Sequence, residues 1–154
     1  MEIRRCYPGG KLKALTLSYD DGVGQDIRLL EIMDRRGLQG TFNLNSGLTS
    51  ANSWIYKDAE VYRLNPEVMP PLYRNQEVAV HSRTHPHLED LPQKELYAQL
   101  YDDRKALEKR FGCRVTGMAL PFGSWNQDVY QAIRQLGFSY NRTTVSTHDL
   151  QVPE

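Results

Sequence analysis

The chain has 154 residues, and its 19 Lys and Arg balance its 19 Asp and Glu, so the formal net charge is zero. Apolar residue types make up 40% and charged ones 25%, the composition of an ordinary globular domain. The zero balance argues against a nucleic-acid binder, no apolar run approaches the ~20 residues of a membrane helix, and nine Tyr, four Phe and two Trp argue against disorder.

The N-terminus, Met1-Glu2-Ile3-Arg4-Arg5, turns polar without an apolar core, so no signal peptide is expected and a cytoplasmic location is the default. Lys13–Tyr19 reads as a first strand ending in the turn signal Asp20-Asp21-Gly22. Asp26–Arg36 follows as a helix, with Ile27, Leu30 and Met33 at helical spacing and Gly37 as its stop. Gly40–Asn45 is a second strand. The polar stretch Ser46–Asn65, which carries Trp54 and Tyr56, reads as a long loop, and Asn65-Pro66 as a helix start. Glu77–Val80 is a third strand running directly into His81. Pro92–Phe111 is the longest helix, buried along Leu96, Leu100, Ala106 and Leu107 and stopped by Gly112. Val115–Leu120 is a fourth strand, broken by Pro121. Asn126–Leu136 is a capped helix ending at Gly137, and Phe138–Thr143 a fifth strand. This alternation predicts parallel strands joined by crossover helices. Cys6 and Cys113 are too few and too far apart for a disulfide framework and read as reduced thiols.

Three segments carrying unusual residues follow predicted strands: Asp20-Asp21, His81 with His85, and Pro121-Phe122-Gly123. Parallel α/β folds gather their active sites at such carboxyl ends. Two histidines four apart occur by chance in polar loops, and Asp-Asp-Gly is also an ordinary turn. Together, however, Asp21, His81 and His85 form a two-histidine, one-carboxylate set that leaves coordination positions open. Adjacent carboxylates diverge, so Asp21 can hold a metal while Asp20 serves as general base, a division of labour suited to hydrolysis. A divalent cation is implied, zinc being favoured by the nitrogen and oxygen ligands.

These residues carry a resemblance. Ser18-Tyr19-Asp20-Asp21-Gly22 resembles the Asp-Asp-Gly motif of the polysaccharide deacetylases, the NodB-homology or carbohydrate esterase family 4 group. His81-Ser82-Arg83-Thr84-His85-Pro86 matches that family's His-Ser/Thr-x-x-His-Pro motif, and Met118-Ala119-Leu120-Pro121-Phe122-Gly123 is similar to its third motif. The resemblance runs from Lys13 to about Arg142. It implies a distorted or incomplete (β/α) barrel, with Asp20 as catalytic base and Asp21, His81 and His85 as metal ligands. It also implies that the backbone N–H at Phe122, after Pro121, helps hold the oxyanion.

Two departures accompany it. Many members have, in the third motif, an arginine that orients the base; here that place is Ala119, although one branch of the family also has Ala there. A replacement cation is offered by Arg142, which otherwise reads as a surface residue. No Leu-x-His segment, whose histidine is the family's general acid, occurs before Glu154, and His148 lacks that context. The expectation is therefore a single domain over residues 1–154 that lacks its C-terminal part, with an open barrel edge prone to self-association. Trp125 either lines a sugar site by ring stacking or packs half-buried; His87 reads as an exposed loop residue, and Asn43 and Asn45 share one face of their strand.

The function expected is removal of acetyl groups from N-acetylated sugars of a chitin- or peptidoglycan-like glycan. The alternatives are an acetyl-ester hydrolase on a xylan-type polysaccharide and a degenerate, non-catalytic carbohydrate-binding domain. The partner is a carbohydrate, with neither nucleic acid nor membrane.

Overall fold

A computed structural model describes residues 7–146. Five parallel strands form one sheet in the order β1 (Ser18–Asp20), β2 (Thr41–Leu44), β5 (Glu77–Val80), β6 (Gly117–Ala119) and β7 (Tyr140–Arg142). An antiparallel hairpin, β3 (Ser53–Tyr56) with β4 (Ala59–Tyr62), stands apart from it. The helices are α1 (Asp26–Arg36), α2 (Met69–Leu72), α3 (Gln93–Phe111) and α4 (Gln127–Gln135). The sheet order follows the chain order without reversal, which is the winding of a (β/α) barrel rather than of a doubly wound sheet. The fold is an α/β half-barrel, as expected.

Alternation along the strands separates two faces. Tyr19, Phe42, Leu44, Val78, Val80 and Met118 point outward beneath the helices and join Leu30, Met33, Leu96, Leu100 and Leu107 in the core. Tyr19, Phe42, Tyr73 and Phe111 form a chain of ring contacts with centroids 5.0–6.4 Å apart. Burying each such side chain contributes ~1.5–3 kcal/mol.

The inward face is small and polar. One layer holds Ser18, Thr41 and Glu77, where the Thr41 hydroxyl donates to Glu77 Oε2 (2.5 Å). The next holds Asp20, Asn43 and Ala79. Gly117 faces its register partner Tyr140, whose ring would lie within 1.9 Å of an added Cβ, so only glycine lets that ring lie inside. Arg142, on the far edge strand, donates from Nε to Ser18 Oγ on the opposite edge (3.2 Å). A flat five-stranded sheet spans ~19 Å between its edge strands, beyond any side chain, so that bond requires the sheet to be curled.

Several elements are shorter than the sequence predicts. Of Lys13–Tyr19 only Ser18 and Tyr19 are strand, with Asp20 added at the end, because the neighbouring β2 begins at Thr41; Leu15 is left exposed. Asn65-Pro66 opens a turn closed by Val68 N–H to the Asn65 carbonyl, and the helix begins at Met69. The stretch expected to be loop contains the hairpin. On α3 the buried stripe is Leu96, Leu100, Asp103 and Leu107, with Ala106 only half-buried. By contrast α1 has the predicted limits, its Gly37 taking the left-handed cap (φ 62°). Asn126 caps α4 through its side chain, accepting the Val129 N–H (3.0 Å). Cys113 is a free, exposed thiol; Cys6 and His148 lie outside the described residues.

Candidate metal and active site

The carboxyl ends of β1, β2, β5, β6 and β7 meet on one rim. The chain leaves β1 through Asp20-Asp21-Gly22, with Asp21 N–H bonded to the Asn43 carbonyl (2.9 Å). Gly22 is left-handed (φ 64°), and an added Cβ would meet Leu44 at 3.0 Å, so the turn over the core needs glycine there. Beyond β5, Ser82 is fully buried, and its Oγ accepts the His85 N–H (3.1 Å). That bond closes the turn and swings His85 back beside His81, their ring centroids 4.8 Å apart. Among the described residues six non-glycines have positive φ, and Asp21, Ser82, His85 and Phe122 are four of them. Such strain, ~1–3 kcal/mol each where it is uncompensated, concentrates at functional sites.

Asp21 Oδ1 lies 3.9 Å from His81 Nε2 and 3.6 Å from His85 Nε2. One ligand atom from each of these three residues falls within 4.8 Å of the others. A tetrahedral ion bound at ~2.0–2.2 Å sets its ligand atoms ~3.3–3.6 Å apart, so the two Asp21–histidine distances need to close by about half an ångström or less. The chemistry of the donors agrees. His81 Nδ1 is 2.8 Å from the Ala119 carbonyl, which fixes its proton there and leaves the Nε2 lone pair facing Asp21. Burial, then the neighbouring His81, holds the His85 pKa below its usual value, favouring the neutral, ligating form. The three residues therefore fit a divalent ion.

Asp20 points into the half-barrel beside them. Arg142 Nη2 pairs with both of its oxygens, at 2.5 Å to Oδ2, and Asn43 Nδ2 donates to Oδ1 (2.9 Å). Ala119 and Arg142 are register partners on β6 and β7. The guanidinium that the resemblance places at position 119 thus stands one strand over, at the same level. Arg142 is a contact of Asp20 and not an isolated surface residue.

Phe122 sits in a 3-10 turn, Pro121–Gly123, with its ring edge-on to His85 (4.6 Å) and stacked on His87 (4.0 Å). Pro121 is buried. His87 is the exposed residue expected, and its ring stacks on Phe122 and lies 3.1 Å from Glu89 Oε1. Trp125 is 56% exposed and leans on Tyr130 of α4 (6.4 Å) rather than on the histidines.

Two residues of the site, Arg63 and Asp103, were not singled out from the sequence. Arg63, 8% exposed, donates from Nη2 to Asp21 Oδ1 (2.7 Å) and from Nε to Asn45 Oδ1 (3.3 Å), with Trp54 stacked on its guanidinium (4.8 Å). Asn45 in turn donates to the His81 and Ser82 carbonyls (2.6 and 2.8 Å). Asp103, fully buried on α3, accepts the Ser46 N–H (2.7 Å) and the His81 N–H (3.3 Å), tying the ends of β2 and β5 together. Burial raises its pKa to about 7 against the opposing pull of the Ser46 bonds.

The sequence profile of one family, polysaccharide deacetylase, matches residues 8–141. No curated protein sequence matches significantly. Among solved structures, the Streptococcus pyogenes deacetylase PplD in complex with acetate is similar at 21% identity and a TM-score of 0.72, over 85% of this chain and 55% of that one. A family 4 carbohydrate esterase from Streptomyces lividans, also with acetate, shares 21% identity at a TM-score of 0.65, over 82% of this chain and 60% of that one. A CE4 family pseudoenzyme from Bacillus anthracis shares 21% at a TM-score of 0.63, over 82% and 42%. This chain spans about half the length of these structures, and at such identities the likeness is one of fold.

Proposed function

The chain belongs to the polysaccharide deacetylase family, and from that premise we propose that it is a metal-dependent hydrolase removing acetyl groups from the N-acetylated sugars of a glycan. The observation that carries the reading is the pair of adjacent carboxylates with separate surroundings. Asp21 faces the two histidines, while Asp20 is gripped by Arg142 and Asn43.

In this reading Asp21, His81 and His85 hold a divalent ion, zinc by the character of the ligands. Bound there, it supplies Lewis acidity to the acetyl carbonyl and to a water molecule. Asp20 takes the proton of the attacking water. Two donors fix the carboxylate while leaving it lone pairs with which to accept that proton. The Phe122 N–H, presented by a backbone at φ 59°, receives the negative charge that develops on the carbonyl oxygen. The Phe122 ring, capped by His87, walls the site from solvent on the His85 side.

A pseudoenzyme among the similar structures makes turnover the point to test. What supports turnover here is the intact base with its replacement arginine. The experiment is acetate release by the zinc-loaded chain from an N-acetylglucosamine oligomer and from an acetylated xylan. Release from the amide substrate is expected. Release from the ester alone would transfer the reading to an ester hydrolase, and release from neither, with oligomer bound, to a carbohydrate-binding domain.

A further inference from the structure

Arg63 is nearly buried, belongs to none of the motifs, and comes from a segment that sequence reasoning leaves as loop. The structure gives this segment a definite course. After β4 the chain runs antiparallel past the Asp20-Asp21-Gly22 turn, bonding Gly24 N–H to the Tyr62 carbonyl (2.9 Å) and Leu64 N–H to the Gly22 carbonyl (2.7 Å). Val23 and Arg63 form a β-bridge between these bonds. Arg63 is thus delivered by backbone pairing to the loop that carries Asp21.

Two nitrogens of its fork donate to different partners. Nη2 reaches Asp21 Oδ1, and Nε reaches Asn45 Oδ1, whose amide holds the His81 and Ser82 carbonyls. Trp54 lies across the guanidinium face and keeps it from turning away. A single planar cation therefore joins the proposed carboxylate ligand on one strand end to the support of the histidine turn on another. Only a planar fork can donate in both directions at once; lysine offers a point charge. The oxygen that Arg63 holds is also the one nearest both histidine nitrogens. A carboxylate oxygen has two lone pairs, so it can accept the guanidinium on one and face a metal with the other.

We propose that Arg63 is a positioning residue for metal binding, holding Asp21 in its ligating orientation relative to His81, with Trp54 acting through Arg63. This rests on the reading of Asp21 as a ligand. Partners of metal-bound carboxylates typically contribute 10–100-fold to metal affinity.

The test is zinc affinity by competition with a chromophoric chelator, on the full chain and on Asp21→Ala, Arg63→Met, Trp54→Leu and Arg63→Met/Trp54→Leu. The thermal midpoint of each, measured without zinc, identifies any variant that fails to fold. Arg63→Met is expected to bind about 10–100-fold more weakly. Trp54→Leu should bind a few-fold more weakly in the parent, and no more weakly once Arg63 is gone. A purely structural role would lower the midpoints and leave the affinity of folded protein unchanged. If Asp21→Ala binds zinc like the parent, the ligand reading itself falls. If Asp21→Ala loses zinc while Arg63→Met keeps or tightens it, the ligand reading stands and this inference falls. Should Arg63→Met not fold, Trp54→Leu decides: undiminished affinity overturns the proposal.

Discussion

Replacing Arg142 by Met removes the charge that orients Asp20 while keeping most of the stem that fills the half-barrel. The magnitude follows from the contacts. Arg142 makes charge-assisted hydrogen bonds to both Asp20 oxygens, a type of bond that contributes ~1.5–3 kcal/mol when well shielded. The pair is 37% and 33% exposed on its two side chains, so solvent screening reduces that figure to ~1–2 kcal/mol. Asn43 still holds Oδ1, and the base is displaced rather than lost. At ~1.4 kcal/mol per tenfold, kcat/KM on an N-acetylglucosamine oligomer should fall about 5–30-fold. Zinc affinity should stay at the parent value, because Asp21, His81 and His85 are untouched. The register supplies a rescue. Ala119 and Arg142 are partners on neighbouring strands ~4.8 Å apart. Ala119→Arg combined with Arg142→Ala moves the guanidinium back one strand into the space just emptied, and should recover part of the loss. Acetate release by steady-state kinetics, alongside the thermal midpoint, measures both. A folded Arg142→Met chain within twofold of the parent would refute the assignment of Arg142 as the partner that positions the base.

Asp20→Asn, read in the same assay, should lower the rate by about 10²–10⁴-fold, the contribution of a general base, without weakening zinc binding; near-parental turnover would remove Asp20 from that role. Asp26 is buried, accepts the Tyr73 hydroxyl (2.6 Å), and has its pKa raised by burial from 3.8 to about 6. A raised acid pKa means that the folded state holds the proton more tightly, so stability from this group falls as pH rises from about 4 to about 6, by ~3 kcal/mol at most at ~1.4 kcal/mol per pH unit. Asp26→Asn, which keeps an acceptor for Tyr73, should flatten that part of the stability–pH curve in denaturant titrations; an unchanged slope would refute the assignment.

The proposed ligand set was legible because Asp21 and His81 each sit immediately after a strand. Val78 to Val80 leads straight to His81, and the Ser82 spacing that closes the turn to His85 is visible in the letters. The α1 limits were legible for a similar reason, since Gly37 can take the left-handed cap. The hairpin was not. Its turn residues Lys57 and Asp58 both have positive φ (48° and 65°), yet neither is the glycine or asparagine that usually signals such a turn. Arg63 escaped notice because its contact with Asp21 spans 42 residues and exists only once the hairpin returns the chain. The grip of Arg142 on Asp20 depends on the curl of the sheet, which strand periodicity does not encode. Asp103 left a signal that could have been used: a carboxylate at the spacing of Leu96, Leu100 and Leu107, on the face that should be apolar. Such a charge requires buried donors, and the two it has are the backbone of Ser46 and of His81. Trp125, just after the Phe122 loop, is exposed with its ring beside Tyr130 of α4.

The central claim is that a divalent ion held by Asp21, His81 and His85 enables deacetylation. The most direct measurement is acetate release from an N-acetylglucosamine oligomer by chelator-stripped protein titrated with zinc. The account predicts loss of activity on stripping, a return that saturates near one equivalent of zinc, and no return in His85→Ala. Activity that survives complete removal of metal, or that zinc restores equally in His85→Ala, would contradict it.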